Sequence, residues 1–235
     1  MSNDDARIRI LSLDPSSTCI GYAEMAGERA EASDYSGVAV ELVSAGRITP
    51  IKQVASYGDA KQLAARYGYE ALATAPVVKG RLAANDRIES MLADLFDLVL
   101  ELHPQAIVIE DTSGKVSRRH GGAGAGLAVY GKAVGAVWRT AVDMSVADAR
   151  NRIAMGLLAA TGEAAAVVMV PENEWTGGIG KRRRAMRIAA EFPGYRIEQD
   201  PGGDAADAIG LGRWWLARRW PHSPPRHEGA KEAKT

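Results

Sequence analysis

Asp204 and Asp207, in the run Asp-Ala-Ala-Asp-Ala-Ile, stand three residues apart where a Pro-Gly-Gly loop gives way to a helical pattern. That spacing puts both carboxylates on one face of a first helical turn. Asp204 alone reads as an ordinary N-cap, whereas Asp207 has no capping duty. Two further acids close apolar runs: Asp14 follows residues 7–13 and Glu110 ends Gln-Ala-Ile-Val-Ile-Glu. Asp14 is either a cap for the amides of Ser16 and Thr18 or a metal ligand. Four carboxylates from three segments, with no paired histidine and a single cysteine, make an oxygen-only donor set, which selects a hard cation: Mg²⁺, with Mn²⁺ as a substitute. Two such ions about 3.5 to 4 Å apart activate water and stabilise the leaving oxygen in phosphodiester hydrolysis.

An anionic substrate needs cations, and the chain gathers them locally although its 29 Lys and Arg balance its 29 Asp and Glu. Lys115, Arg118, Arg119 and His120 lie in a glycine-rich stretch, residues 112–126, just after Glu110. Lys132 follows, and Lys181, Arg182, Arg183 and Arg184 form a second run. A third run, from Arg213 to Arg226, includes Trp214, Trp215 and Trp220, at least two of which fit core packing or a dimer contact better than base stacking.

The elements that must position these groups follow from periodicity. Residues 7–23 read as a β-hairpin turned by Pro15, Ser16 and Ser17, and residues 37–48 as a third strand. Ile88, Leu92, Leu95, Val99 and Leu102 recur at helical spacing over 82–102, and His103-Pro104 stops that helix. Residues 105–110 and 166–170 are short continuous apolar runs, typical of central strands covered on both faces. Between them the pattern predicts a mobile basic loop over 112–126 and a helix from about Gly126, with Leu127, Tyr130, Val134, Val137 and Ala141 on one face. Gly131 and Gly135 are expected to admit a close neighbour, and a separate helix is expected over 146–160, ended by Gly162. Helices over 181–192 and from Asp204 to about Trp220 complete the chain. A βα alternation of this kind argues for parallel pairing after the antiparallel start.

Cys19 reads as a small buried residue and excludes an intrachain disulfide. The N-terminus lacks the basic and apolar regions of a signal peptide, and no apolar run is long enough to span a bilayer, so the expectation is a soluble cytoplasmic protein. Gly121 to Gly126 lack the Gly-Lys-Ser/Thr ending of a phosphate loop.

Taken in order, Ile-Leu-Ser-Leu-Asp14-Pro-Ser-Ser-Thr-Cys-Ile-Gly-Tyr, Pro104-Gln-Ala-Ile-Val-Ile-Glu110, Pro171 with the basic segment after it, and Asp204-Ala-Ala-Asp207-Ala-Ile resemble the RuvC family of Holliday-junction resolvases. The Asp-Pro-Ser-Ser-Thr variant is similar to those of bacteriophages. The resemblance runs from residue 7 to about 216 and implies an α/β, RNase H-like mixed sheet, three antiparallel strands leading to parallel ones, flanked by helices. It implies one nuclease domain over 1–220, with insertions about 50–80 and 143–163, whereas the tail at 221–235 is expected to be disordered because it carries too little apolar surface to order by itself. It further implies a homodimer that cuts four-way junctions or other branched DNA in recombination and repair, in a bacterial or phage-infected cell. Asp14, Glu110, Asp204 and Asp207 would be the catalytic metal ligands, Asp14 bridging two Mg²⁺ ions, and the products would carry a 3′ hydroxyl and a 5′ phosphate.

Two departures stand out. Asp111-Thr-Ser-Gly-Lys follows the glutamate where the family places an aromatic or apolar segment, and Trp175-Thr176 stands where it tends to place a lysine, leaving Lys181 or Arg182 for that role. The rival readings are a nuclease of the same fold acting on other branched or single-stranded DNA, a non-catalytic DNA-binding module, and an actin-like ATPase or sugar kinase. The last also uses an Asp-Ser/Thr hairpin, but needs a second glycine-rich phosphate motif.

Overall fold

The computed structural model describes residues 7–29, 38–50, 84–111, 123–157 and 163–218. The expected excursion over 50–80, the tail from 221, and Lys115, Arg118, Arg119 and His120 lie outside them.

Five strands form one sheet in the order β3-β2-β1-β4-β5. β1 (Arg7–Pro15), β2 (Ile20–Arg29) and β3 (Val38–Ile48) are antiparallel, and β4 (Ala106–Asp111) and β5 (Ala166–Pro171) run parallel to β1. This is the mixed sheet, three antiparallel strands leading to parallel ones, expected from the sequence. The β1–β2 hairpin turns through residues 16–19, where the Ser16 hydroxyl accepts from the amides of Thr18 and Cys19 at 3.3 and 3.0 Å. Ser16 N–H itself donates to Cys19 O. Asp14 therefore caps neither amide, and its side chain is left for other work.

The period of two along each strand divides the core. Leu11, Leu13, Ile107 and Ile109 face one layer, made of α1 (Ala84–Leu102) and α2 (Ala123–Ala154). Ile10, Ala106, Val108 and Val170 face the other, made of α4 (Lys181–Glu191) and α5 (Asp204–Arg218). A single turn, α3 (Glu172–Trp175), links β5 to that second layer. Ile10, Leu11, Leu13, Ile107 and Ile109 expose no surface, and each contributes about 1.5–3 kcal/mol of transfer free energy. The strand ends that carry Asp14 and Glu110 are accordingly rigid supports.

Two expectations are corrected by the structure. The segments read as separate helices around 126–141 and 146–160 are one helix of 32 residues, because Val-Asp-Met-Ser between them holds no glycine or proline to break it. It starts at Ala123, so the end of the expected loop is helical. It stops at Gly156 rather than Gly162: Gly156 has φ +70°, with Gly156 N–H on Ile153 O and Leu157 N–H on Arg152 O. Among the described residues Gly131 and Gly135 meet no neighbour, since a Cβ at either would have nothing within 4 Å. The face formed by Val134, Val137 and Ala141 is buried as expected. His103 ends α1 in a left-handed conformation, φ +46°, and its Nδ1 lies 2.6 Å from Asp148 Oδ1 on α2.

Candidate active site

The strand pairing explains why two distant acids meet. β1 and β4 are in register from Ile10 opposite Ala106 to Leu13 opposite Ile109, so the next position sets Asp14 beside Glu110. Asp14 shares parity with Ile10 and Ser12, and Glu110 with Ala106 and Val108, so both carboxylates leave the sheet on the α5 side. On that side Ser12 Oγ donates to Ala208 O at 2.7 Å, fixing the height of α5 against β1.

Gly21 brings the first turn of α5 into place. It pairs with Asp14 across the hairpin, and a Cβ there would lie 2.1 Å from Asp204 O, so only glycine lets this helix end approach. The capping of α5 differs from the reading of Asp204 as N-cap. Asp200, four residues earlier, accepts from Asp204 N–H and Ala206 N–H at 3.0 Å each, and from the Tyr195 hydroxyl at 2.9 Å. Asp204 and Asp207 are thereby both released to face the cleft.

Asp14, Glu110, Asp204 and Asp207 line one cleft of about 520 Å³, together with Ser16, Tyr130, Glu172, Thr176, Lys181 and Arg184. Asp14, Glu110 and Asp207 are buried. Burial, with repulsion from Asp207 and Asp204, pushes Asp14 up to about 7 against the attraction of Lys181. Burial, with repulsion from Asp14, Asp207 and Glu172, pushes Glu110 up to about 9. Asp204 goes the other way: hydrogen bonds from Cys19 and Lys181 outweigh its burial and hold it below the usual carboxylate range. Burial pushes the Cys19 thiol up to about 11, and it donates to Asp204 Oδ2 at 2.9 Å. Arg47 reaches the same oxygen at 3.3 Å.

The second basic run divides. Lys181 Nζ lies among the acids, 2.7 Å from Asp204, 3.2 Å from Asp207 and 3.3 Å from Asp14. Arg184 turns inward, donating Nε and Nη2 to the two oxygens of Asp207 at 2.7 Å each and Nη1 to Ile179 O, with its guanidinium 5.0 Å from the Trp175 ring centroid. That guanidinium is buried against Asp207 and Trp175, not presented to a solvent-side strand of nucleic acid. Arg182, Arg183 and Lys132 are exposed. Trp215 is buried and Trp214 packs against the same core, as expected.

Sequence reasoning missed Tyr130, Glu172, Asp200 and Arg47. Burial and the neighbouring Asp14, Glu110 and Glu172 raise the Tyr130 hydroxyl well above its ordinary value, so it stays a donor.

Among the described residues, no group of three or more His, Cys, Asp or Glu is arranged to hold a metal ion as it stands. Lys181 is lodged among three of the acids. The chemistry of the site nonetheless fits a hard divalent cation. The donors are carboxylate oxygens, and among the described residues Glu110 Oε2 is buried with no hydrogen-bond partner, a deficit of about 1–3 kcal/mol that a bound cation would relieve. Also among the described residues, no helix is long and apolar enough to cross a membrane.

No protein-family model and no curated protein matches the chain. Among solved structures, a Thermus thermophilus RuvC structure is similar over 88% of this chain and 95% of its own, at 12% identity and a TM-score of 0.49. T. thermophilus RuvC in complex with Holliday junction substrate is similar over 88% and 92%, at 12% identity and a TM-score of 0.45.

Proposed function

We propose that the chain is a Mg²⁺-dependent endonuclease, with Mn²⁺ as a substitute, that cleaves four-way junctions and related branched DNA as a homodimer. The observation that supports it is the meeting of Asp14 and Glu110, at adjacent strand ends on one face, with Asp204 and Asp207 on the first turn of the helix covering that face. Asp14, Glu110, Asp204 and Asp207 would hold the ions, whose chemistry is to lower the pKa of water and to neutralise charge at the scissile phosphate. The chain's own groups do the rest. Tyr130, kept protonated, lines the cleft as an available donor, and Arg184 holds Asp207 in a two-point grip that fixes its orientation. Arg182, Arg183 and Lys132, with the cations of 112–122, would track the phosphate backbone. Two copies would place two clefts on one junction and give paired nicks.

A labelled four-way junction and a matched duplex, incubated with the protein in Mg²⁺ or EDTA, test this reading. Metal-dependent paired nicks confined to the junction are expected. Asp14→Asn should lower the rate by more than the roughly 10- to 100-fold typical of losing an outer-shell partner. Equal cutting of flaps, forks and duplex would move the assignment to a broader nuclease, and salt-sensitive binding without cutting to a non-catalytic DNA-binding module.

A further inference from the structure

Three of the carboxylates assigned to the metal already hold a cation that belongs to the chain. The Lys181 ammonium has three protons, and three oxygens lie within reach: Asp204 Oδ1 at 2.7 Å, Asp207 Oδ2 at 3.2 Å and Asp14 Oδ2 at 3.3 Å. The stem is seated as well as the head. It crosses Gly203, where a Cβ would come 3.2 Å from Lys181 Cγ and 3.3 Å from Cε. Lys181 is nonetheless not entombed, because its side chain keeps 39% of its exposure and opens to the cleft.

We propose that Lys181 is a tethered competitor of the metal: a divalent ion reaches Asp14, Asp204 and Asp207 only by expelling the Lys181 ammonium into the cleft. The inference rests on the metal reading given above. An ammonium and a divalent cation of like sign do not share the same three oxygens in a partly dry site, so binding of one weakens the other, and the coupling is reciprocal. In the metal-free protein the amine neutralises a cluster of acids that repel one another. Once displaced, it is a mobile positive group in the same cleft, placed to meet an incoming phosphate.

Mn²⁺ titration by calorimetry, on the full chain and on Lys181→Met, together with melting in EDTA, tests this. The variant should bind Mn²⁺ about 5- to 100-fold more tightly. It should melt at a lower temperature in EDTA and gain more from Mn²⁺ than the unchanged protein. Equal or weaker Mn²⁺ affinity in the variant overturns the inference and leaves the metal reading standing. No Mn²⁺ binding to either protein removes both. Should Lys181→Met fail to fold, the unchanged protein decides: a brief amine-reactive pulse read by peptide mass spectrometry should label Lys181 faster in saturating Mg²⁺ than in EDTA. Equal or slower labelling overturns the inference.

Discussion

Asp14 and Glu110 carry protons at pH values where a surface carboxyl has lost them, at about 7 and about 9 respectively. Where the folded pKa of an acid lies above its unfolded value, the native state binds more protons than the unfolded chain, so stability falls as pH rises between the two values. For Asp14 that window runs from 3.8 to about 7, and for Glu110 from 4.5 to about 9. Asp204 has the opposite sign, and its contribution is lost only below its ordinary 3.8. Calorimetric melting in EDTA should therefore show the midpoint dropping from pH 5 to pH 9. Saturating Mg²⁺ should flatten that slope, since an ion in place of the protons removes their linkage. A metal-free midpoint that climbs across the window would remove this account of the two acids. Four site acids were legible because their positions are geometric signals: acids that terminate apolar runs and an i, i+3 pair at a helix start. Tyr130 was not, since a tyrosine on the apolar face of a helix reads as core, and Glu172 was not, since nothing in Pro-Glu-Asn-Glu-Trp marks it from its neighbours.

At the scale of elements, the site depends on how α5 is started. Asp200 supplies both acceptors for the first amides of that helix and anchors Tyr195, and Arg47 pairs with Asp200 at 3.8 Å and Asp204 at 3.3 Å. Asp200→Ala should lower stability by about 1–3 kcal/mol, the cost of a lost cap plus an unpartnered buried hydroxyl, measured by urea unfolding. It should also weaken the proposed cleavage, because Asp204 would be drawn back toward the vacant capping role. Unchanged stability would show that the amides of Asp204 and Ala206 find other acceptors. A cap four residues ahead of the helix is set by the fold of the 195–203 loop, so no local pattern in the sequence announces it. The strands were readable because short apolar runs bounded by turn residues have few alternative structures. Division of 123–154 into two helices failed for a different reason: the buried face drifts along so long a helix, and the drift imitates a break.

Across the whole molecule, charge and layering divide the labour. The formal charge of +0 removes long-range attraction as a general force, so the proposed binding to DNA would rest on local exposed cations such as Arg182 and Arg183 at the start of α4. Replacing both by alanine should leave the melting temperature unchanged and reduce the slope of log affinity against log salt by about 0.9 for each phosphate that is no longer neutralised. An unaltered slope would place the DNA path elsewhere. The sheet holds Asp14 and Glu110 from below and α4 with α5 closes them from above, while Tyr130 arrives from the opposite layer on α2. That helix has a mechanical consequence. Its 32 residues make a rod about 48 Å long at 1.5 Å per residue, whereas the six residues of β4 beneath the cleft span only about 20 Å. The rod is more than twice as long as that strand, and it runs unbroken from Ala123 to Ala154. Its far end, beside the exposed side chains of Met155 and Leu157, lies about 36 Å along one continuous helix from Tyr130 at 1.5 Å per residue, so a single element joins the cleft to a distant surface.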